Sequence, residues 1–375
     1  MGSERNLQNK RVWVMAKGYA PDEGGMQTYA EGVAQAYARA GAEVTVFTQT
    51  SAGPRRERTS GVDVIDVGSK SGMKAFTSLV AAVRTEKTAK GAPQLFHGTT
   101  WRTSVIPMCL GMRYFVTFHG REFMGGGALV TAIMKRVVRD AELVVAVSAY
   151  SAEKLQRRLN AECVPVVAHN GPSNDELGNF TETPGGEPPL LFSLCRLEPR
   201  KNIAACLRAC ATLKELGVPF RYVIAGRGPE LARLADMVVD LGLREEVELL
   251  GFVPDCDARR LHSEADIFLH PQIEIAEGRD FEGFGIVIAD AMRSGTAVIV
   301  GQEGGAVELV EDSVSGLVVD GRNESALADA IEVLLRDTEK RQSIAAAGRR
   351  RARELFTWDR HLATILDALP DRSPA

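Results

Sequence analysis

Short runs of β-branched and other apolar residues alternate along the chain with longer stretches in which apolar residues recur every three or four positions. The short runs predict strands and the longer stretches predict helices, and their alternation is typical of βαβ units with parallel sheets. The runs are almost continuously apolar, as expected for strands that helices cover on both faces. In the first half of the chain these runs occupy residues 12–16, 44–47, 62–67, 94–97, 114–118, 143–147 and 164–168.

The alternation is interrupted between residues 170 and 189, where the segment NGPSNDELGNFTETPGGEPP is rich in Gly, Pro and polar residues. This interruption predicts a domain boundary and a hinge about which the domains close over a ligand. Afterwards the alternation resumes, with apolar runs at 190–195, 222–225, 247–250, 267–270, 297–300 and 316–319. The sequence thus predicts two doubly wound α/β domains in tandem.

The expected N-terminal domain covers residues 1–172, and the expected C-terminal domain covers 173–355. The stretch from about residue 339 to 369 is predicted to be helical, and the C-terminal helix, assigned to the region 356–375, is expected to pack back on the N-terminal domain. Ligands of doubly wound sheets bind beyond the carboxyl ends of the strands. We therefore look for chemistry in the loops that follow the predicted strands.

Composition supports a globular protein with a sizeable core, since 45% of the 375 residues are hydrophobic and 25% are charged. The 45 Lys and Arg against 49 Asp and Glu give a formal charge of 45 − 49 = −4. Nucleic acid is therefore not an expected partner, because proteins that bind it carry strongly basic surfaces. An anionic ligand must instead be met by a local pocket.

The six cysteines are scattered without a Cys-x-x-Cys pair, which is typical of a reducing compartment. Cys206 and Cys210 have helical spacing, but no nearby histidine completes a zinc site, and no metal site is expected. No apolar run approaches the roughly 20 residues of a spanning helix, and the N-terminus lacks the apolar segment of a signal peptide. We expect a cytoplasmic protein, with the inner membrane face as an alternative location.

Two polar turns that follow predicted strands have the residues needed to bind an anion. Gly24 and Gly25 follow the first strand and open a helix that is predicted to continue to about Ala40, so backbone amides and the helix dipole are available to a phosphate. Arg196 and Lys201 follow the first strand of the second half, and both can point at one spot. Two fixed cations there would stabilise a diphosphate leaving group without a metal ion. A tight turn and a solvated basic turn are the structural alternatives.

The richest segment runs from Asp280 to Met292. Glu282 precedes glycines that free backbone amides at a helix start, and Asp290 lies on the helix that follows. One carboxylate can contact a sugar while the other accepts hydrogen bonds from ribose hydroxyls. A purely structural helix start remains an alternative. The anion-binding backbone is expected at Gly283, Phe284, Gly285 and Ile286.

These residues resemble the retaining glycosyltransferases of family 4, which have the GT-B fold of two facing Rossmann-like domains with a cleft between them. The family motif joins EGFG-I-V to a second acid eight residues after the first, as in the segment 282–299 of this chain. Two positions depart from it, since Asp290 replaces the second glutamate and Ala297 replaces a proline. The resemblance extends over essentially the whole chain.

The resemblance implies further functional residues. It assigns Gly24 and Gly25 to the phosphate side, Arg196 and Lys201 to the R-L-x-x-x-K diphosphate clamp, and His119 to contact with the transferred sugar. The turn Gly226–Glu230 matches the family's G-x-G-P-E, and the stretch containing Val253 matches the backbone that reads the nucleotide base. A strand-end histidine such as His119 can also be structural.

Three other patterns admit a functional interpretation but favour a structural one. Asp255 and Asp257 imitate a metal-binding Asp-x-Asp, yet Asp257 is placed to cap a helix. His97 and Trp101 could stack on a sugar, yet packing is the simpler role for both. Segment 124–139 mixes apolar and basic residues and could contact an anionic membrane surface, yet an ordinary helix with a solvated edge explains it.

The resulting hypothesis is transfer of a hexose from a UDP- or GDP-linked sugar to a hydroxyl acceptor, with retention of configuration and without a cofactor or metal. The donor is expected on the C-terminal domain, and polysaccharide or glycolipid synthesis is the expected context. The alternatives are a nucleotide-sugar epimerase of the same architecture, a donor-binding paralogue without turnover, and a pyridoxal-dependent phosphorylase. The acceptor leaves no motif in the first domain.

Overall fold

A computed structural model describes residues 7–69, 71–160, 163–173 and 186–370. Contacts divide the chain into two compact units, Met1–Ser173 with Thr357–Ala375, and Asn174–Phe356. Residues 174–185, most of the predicted hinge, lie outside the described residues, as does the extreme N-terminus. Each unit is built around a mainly parallel sheet, which confirms the predicted α/β class.

Within the described residues, the sheet of the first unit has eight strands in the order β3-β4-β2-β1-β5-β6-β7-β8. They are β1 (Arg11–Met15), β2 (Glu43–Thr48), β3 (Pro54–Thr59), β4 (Val62–Val67), β5 (Leu95–Gly98), β6 (Phe115–Phe118), β7 (Val144–Ala146) and β8 (Val166–Val167). The interleaved helices are α1 (Gly25–Arg39), α2 (Gly72–Lys90), α3 (Trp101–Cys109), α4 (Ala128–Asp140) and α5 (Ala149–Leu159). The apolar runs predicted all of these strands except β3.

Strand β3 is the one antiparallel edge of this sheet among the described strands. Its sequence PRRERT is almost entirely exposed, so it lacks the apolar pattern that marks a strand. Its arginines instead hold the strand in place through charge, since Arg55 pairs with the buried Asp66 of β4 at 2.8 Å and Arg56 pairs with the buried Glu86 of α2 at 3.0 Å. A charged edge of this kind also resists pairing with other chains.

The sheet of the second unit has six strands over its described residues, in the order β11-β10-β9-β12-β13-β14. They are β9 (Leu190–Leu194), β10 (Arg221–Ala225), β11 (Val247–Gly251), β12 (Ile267–His270), β13 (Ala297–Gly301) and β14 (Leu317–Val319), and each one was predicted. The helices of this unit are α6 (Ile203–Glu215), α7 (Leu231–Asp240), α8 (Asp255–Glu264), α9 (Ile286–Ser294), α10 (Glu324–Arg336) and α11 (Thr338–Leu355).

The C-terminal stretch that was predicted to be helical consists of two helices. Helix α11 packs on α9 and β13 of the second unit, whereas α12 (Trp358–Ala368) packs on α1 and β8 of the first unit. The break falls at Phe356 and Thr357, and the Thr357 side chain caps α12 by accepting a hydrogen bond from the Arg360 amide. The cap at this position starts α12 as a separate helix.

Buried histidines make the stability of both units sensitive to acid. Burial lowers the pKa of His262 to about 3, and it is the main cause of the lowering of the His361 pKa to about 4. Both rings are therefore neutral in the folded chain. The unfolded chain binds these protons near pH 6.5, and stability is therefore complete above that pH and is lost as pH falls towards 4. Each ring contributes up to about 1.4 kcal/mol per pH unit in this window.

We therefore expect the urea midpoint, followed by circular dichroism, to fall steadily between pH 7 and pH 4.5. A His262→Phe variant should show a weaker dependence, because this ring packs between Phe192 and Phe268 and a phenyl group can replace it there. A midpoint that does not change between pH 7 and pH 5 would contradict burial of the neutral rings.

Candidate functional site

The residues with the strongest predicted chemistry meet where the strand order of the second unit reverses. The chain adds β10 and β11 on one side of β9 and then places β12 on its other side. The loops that leave adjacent, oppositely wound strands diverge at such a point, and ligands of doubly wound sheets bind there. The loop after β9 carries Lys201, and the loop after β12 carries Glu282.

Glu282 is the common acceptor of two cations. Its Oε2 accepts a hydrogen bond from the Lys201 ammonium and another, at 2.8 Å, from Nη1 of Arg200. The exposed fraction is only 8% for the Lys201 side chain and 13% for that of Glu282. A backbone hydrogen bond also joins the two loops, because the Ile273 amide donates to the Arg200 carbonyl at 2.9 Å.

The electrostatic balance keeps Glu282 ionised. Burial alone would raise the pKa of this carboxyl, but Lys201, a hydrogen bond from His270 and Arg200 outweigh burial and hold the pKa well below 4.5. Breaking one partner from a buried ion pair typically costs about 3–5 kcal/mol, because the remaining charge stays buried. The cluster is therefore both a local stability element and a preorganised set of charges.

His270, the last residue of β12, completes the cluster. Its Nε2 lies 3.4 Å from Glu282 Oε2 and 3.4 Å from Lys201 Nζ. Burial and the neighbouring Lys201 lower the pKa of His270 to about 4, so the ring is neutral at physiological pH. A neutral Nε2 either donates to the carboxylate or accepts from the ammonium, and the low pKa of Glu282 favours donation to the carboxylate.

The predicted convergence of Arg196 and Lys201 on one diphosphate stays a prediction, and the structure places Arg200 directly beside Lys201 on Glu282. The Arg196 side chain is 74% exposed and lies 3.3 Å from Glu198, while Arg200 takes the place beside Lys201. The reason is local, since the short 3₁₀ turn Pro199–Lys201 carries its two basic side chains together into the switch point. Arg196 and Arg200 share Glu198 as a partner, since Glu198 pairs with Arg196 at 3.3 Å and with Arg200 at 3.0 Å.

The start of α9 supplies backbone donors next to Glu282. Gly285 precedes the helix with φ +87°, in the left-handed region that favours glycine. The first amides of α9, from Ile286 onward, have no acceptor within the helix and point at its N-terminal end. The Gly305 amide holds the Glu282 carbonyl at 2.8 Å, which fixes this turn relative to β13. Gly283 lies in the same turn, and Phe284 is buried against Phe356.

Asp290 lies one turn further along α9 and is 2% exposed. A ribose contact through this carboxylate would require the residues that cover it to move. The contact therefore stays a prediction.

Two other predicted binding positions have clear structural reasons for their residue type or location. Gly226 ends β10 with φ +134°, and a Cβ there would lie 1.8 Å from the Cys195 carbonyl oxygen, so no other residue fits. Val253 follows β11 in a loop whose Phe252 ring is 42% exposed and lies 4.8 Å beneath the Arg227 guanidinium. This aromatic and cationic pair lines the loop that was predicted to read the base.

In the first unit, the predicted residues also follow strand ends. Gly24 precedes α1 with φ +139°, and Gly25 is the first helical residue, with open space around the position of a Cβ. His119 follows β6 and is half-buried, and its Nε2 lies 2.7 Å from the Thr99 carbonyl oxygen. Burial lowers the pKa of His119, an effect that Glu122 partly offsets, so the ring is neutral near pH 7.

The weaker sequence patterns resolve towards structural roles. His97 is fully buried and stacks on Phe115 at 4.3 Å, and Trp101 donates its indole N–H to the Glu122 carbonyl. The predicted cap at Asp257 is wrong, because α8 begins at Asp255 and Pro254 occupies the capping position.

The described part of the chain contains no cluster of three or more His, Cys, Asp or Glu residues arranged to hold a metal ion. All six cysteines are free thiols, and Cys206 and Cys210 are buried in the core of the second unit.

Helix α4 carries the segment that mixes apolar and basic residues. Leu129 is 75% exposed, and Lys135 and Arg158 line a surface cavity of about 470 Å³ next to it. No helix within the described ranges is long and apolar enough to cross a membrane. Contact of the α4 face with a membrane surface stays a prediction.

Sequence reasoning missed Arg200 and His270 in the switch-point cluster. Arg200 lies directly beside Lys201 in the sequence, and the family motif points to Lys201 and Arg196 instead. His270 ends an apolar strand and looks like a core residue. A usable signal was their position, since both lie at the carboxyl end of a strand next to the switch point.

Comparison with known proteins assigns each of the two units to a family model. The model of "Glycosyltransferase Family 4" matches residues 23–173, and the model of "Glycosyl transferases group 1" matches residues 175–351. A GDP-mannose-dependent alpha-(1-6)-phosphatidylinositol monomannoside mannosyltransferase of Mycolicibacterium smegmatis is 28% identical over 95% of this chain and 97% of its own length. The putative colanic acid biosynthesis glycosyltransferase WcaL of Escherichia coli is 30% identical over 67% of this chain and 63% of its own.

Among solved structures, Anabaena Alr3699/HepE in complex with UDP and glucose aligns with a TM-score of 0.74. It is 20% identical, and the alignment covers 96% of this chain and 100% of the length of that structure. This likeness establishes the GT-B fold. The two family models together span almost the whole chain. The chain therefore belongs to glycosyltransferase family 4 and is a GT-B enzyme that transfers a sugar from a nucleotide-sugar donor.

Proposed function

We propose that this protein transfers mannose from GDP-mannose to a hydroxyl group of a glycolipid or polysaccharide acceptor, with retention of configuration and without a metal ion. The proposal rests on a combination of two findings. The switch-point cluster supplies cations, and a mannosyltransferase relative aligns over 95% of the chain. The E. coli relative, whose name refers to colanic acid biosynthesis, supports a polysaccharide as an alternative acceptor.

The cluster supports departure of a diphosphate. Cleavage of the sugar–oxygen bond leaves negative charge on the β-phosphate, and preorganised cations and amides stabilise that charge in the transition state. Lys201 and Arg200 both contact Glu282, α9 begins shortly after Glu282 at Ile286, and the Arg196 side chain lies at the exposed side of the loop. These groups supply the charge that a divalent metal provides in other transferases, which is why we propose a reaction independent of metal.

Retention is proposed from the resemblance to the retaining glycosyltransferases of family 4, and it is proposed to proceed without a covalent intermediate, because Glu282 is not suited to attack the sugar from the far face. Glu282 is ionised, but its Oε2 already accepts hydrogen bonds from Lys201 and Arg200, and such a carboxylate is a weak nucleophile. Its suitable task is to accept hydrogen bonds from hydroxyls of the transferred sugar. Front-face attack by the acceptor on a short-lived ion pair then preserves the configuration, and His119 is proposed to contact the same sugar.

A panel of nucleotide sugars tests the donor. In the presence of chelator, we expect GDP-mannose and GDP at about 100 times Kd to add about 2.7 kcal/mol of stability, a rise in Tm of roughly 5 to 10 °C. UDP-glucose and UDP-galactose at equal concentration should have a smaller effect. Stabilisation by UDP-sugars alone would overturn the proposed donor, and complete loss of binding on chelation would overturn metal independence.

Turnover separates the proposed function from its alternatives. With GDP-mannose and a phosphatidylinositol mannoside we expect an α-linked product, and the one-bond carbon–proton coupling at the anomeric carbon of that product reports its configuration. Conversion of the donor without any acceptor would indicate an epimerase. Binding without turnover of any donor or acceptor would indicate a donor-binding paralogue.

A further inference from the structure

A chain of buried polar side chains crosses the first unit and ends on the C-terminal helix α12. The Tyr37 hydroxyl lies 3.3 Å from Nδ1 of His97, whose Nε2 lies 2.8 Å from the Thr117 hydroxyl. Thr117 is 2.9 Å from the Tyr29 hydroxyl, which in turn lies 3.0 Å from Nε2 of His361. The residues come from α1, β5, β6 and α12, and Tyr29 and His361 are 332 positions apart in the sequence.

At the His361 end of this series of hydrogen bonds, only one protonation pattern satisfies all the contacts. Nδ1 of His361 lies 3.1 Å from the Ala168 carbonyl oxygen and 3.0 Å from that of His169. Carbonyl oxygens only accept hydrogen bonds, so Nδ1 carries the proton and Nε2 is an acceptor. Tyr29 must therefore donate its hydroxyl proton to His361.

This direction then fixes every other bond in the chain. The Tyr29 oxygen accepts from the Thr117 hydroxyl, and the Thr117 oxygen accepts from the Nε2–H of His97. The remaining nitrogen of His97, Nδ1, accepts from the Tyr37 hydroxyl. Burial keeps the whole set neutral, because it lowers the pKa of His97 and raises those of both tyrosines.

The same reasoning identifies the ring nitrogen of His119 that can accept a hydrogen bond from a ligand. Nε2 of His119 lies 2.7 Å from the Thr99 carbonyl oxygen, so it carries the proton, and Nδ1 is left as a hydrogen-bond acceptor. Its backbone amide donates to Glu122 Oε1 at 2.6 Å. The ring itself is held by Tyr29, whose centroid lies 4.5 Å away at an interplanar angle of 80°.

Tight packing fixes α12 in this position. Trp358 fills a notch between two glycines, since a Cβ on Gly32 would lie 2.1 Å from its ring and a Cβ on Gly171 would lie 2.6 Å from it. Its indole N–H donates to the Pro172 carbonyl oxygen at 2.9 Å, and its ring packs edge-on against Tyr29. The helix that carries His361 is therefore seated on the same tyrosine that contacts His119.

We propose that Tyr29 and His361 are positioning residues for sugar transfer. His361 fixes the Tyr29 hydroxyl, and the Tyr29 ring fixes the plane of His119 so that Nδ1 is presented as an acceptor to a hydroxyl of the transferred sugar. This inference rests on the proposed contact between His119 and the sugar. It assigns a functional task to the C-terminal helix in addition to its packing.

Four variants of the full-length protein test the proposal. Tyr29→Leu removes the ring and is expected to lower kcat about a hundredfold, the effect of a misplaced reacting group. Tyr29→Phe and His361→Leu each break the same hydrogen bond, and each is expected to lower kcat roughly tenfold with donor KM unchanged. His361→Gln keeps an acceptor near the Nε2 position and should recover part of that loss.

The decisive comparison is the double variant Tyr29→Phe/His361→Leu, which should be no slower than the slower single variant, because the proposed effect of both changes on kcat is the loss of the Tyr29–His361 hydrogen bond. The matched control is Thr364→Ala on the same helix, whose hydroxyl bonds only the Arg360 carbonyl and should leave kcat unchanged. Since Trp13, Trp101 and Trp358 all lie in the first unit, tryptophan fluorescence verifies that each variant keeps α12 seated.

Additive losses in the double variant, or wild-type kcat with only a lower Tm, would overturn the proposal. Should His361→Leu fail to fold, Tyr29→Phe and His361→Gln still decide between these outcomes. The ¹⁵N signals of the His119 ring give a readout that needs no substrate. We expect a single Nε2–H form in the wild type and a mixture of tautomers in Tyr29→Leu, and an unchanged ring would overturn the positioning of His119 even if another donor proved correct.

Discussion

Replacement of Lys201 by alanine is expected to lower kcat by about 10²–10³, which corresponds to about 2.7–4 kcal/mol of transition-state stabilisation. Lys201 is the buried cation that shares the Glu282 carboxylate with Arg200, and no other lysine is placed in this cluster by the described structure. The charge it would stabilise develops on the departing diphosphate. The loss should therefore fall mainly on kcat, and it should also weaken binding of GDP alone.

Lys214→Ala is the matched control for this variant. Lys214 also lies in the second unit and pairs with Glu246 at 2.8 Å, but its side chain is 41% exposed and it stands in the last turn of α6, at the opposite end of that helix from Lys201. Exposed pairs contribute about 0–1 kcal/mol, so kcat should be unchanged. A Lys201→Ala enzyme that folds with the wild-type circular dichroism spectrum and retains full kcat would remove the proposed leaving-group clamp.

The architecture was predictable because parallel strands covered on both faces leave a strong signal in a single sequence. The six strands of the second unit's described residues all coincide with apolar runs, since each strand must exclude water from both faces. Strand β3 escaped prediction because its arginines bind Asp66 and Glu86 through charge while its backbone pairs at the sheet edge. Periodicity detects burial, and β3 is not buried.

The candidate site was predictable only as far as motifs reach. Glu282 and Lys201 were identified because they stand in recognisable segments, and the structure brings them into contact across 81 positions of sequence. Arg200, rather than Arg196, contacts Glu282 because of the side chains that the 3₁₀ turn Pro199–Lys201 directs inwards. A sequence motif does not encode that direction. Asn202 illustrates the same limit, because it occupies the N-cap position of α6 but its side chain donates to the Pro271 and Gly321 carbonyls instead of accepting a hydrogen bond from the helix.

Long-range polar pairing leaves no local pattern at all. Tyr29 lies in an ordinary amphipathic helix, and His361 lies in another near the end of the chain. Each would be interpreted as a buried aromatic of its own helix. Their hydrogen bond exists because two glycines allow Trp358 to seat α12 against α1, and such close approach becomes visible only in three dimensions.

Glu282→Gln is expected to separate binding from catalysis. The three acids Glu198, Asp280 and Glu282 balance Arg196, Arg200 and Lys201, so the ion-paired set has a formal charge of 3 − 3 = 0. Removing one negative charge leaves a net positive set, which should bind GDP at least as tightly as the wild type. The amide no longer holds two cations, however, and it accepts sugar hydroxyls less strongly, so kcat should fall about a hundredfold.

Isothermal titration with GDP and steady-state kinetics measure the two effects on one preparation. Glu324→Gln is the control, because Glu324 lies in the same unit, pairs with Arg208 at the surface and is 46% exposed, and neither binding nor kcat should change. Weaker GDP binding in parallel with the fall in kcat would mean that Glu282 acts mainly by holding the cluster together. Tight GDP binding with lost turnover would instead assign the carboxylate to the sugar, because the diphosphate clamp would then be intact without it.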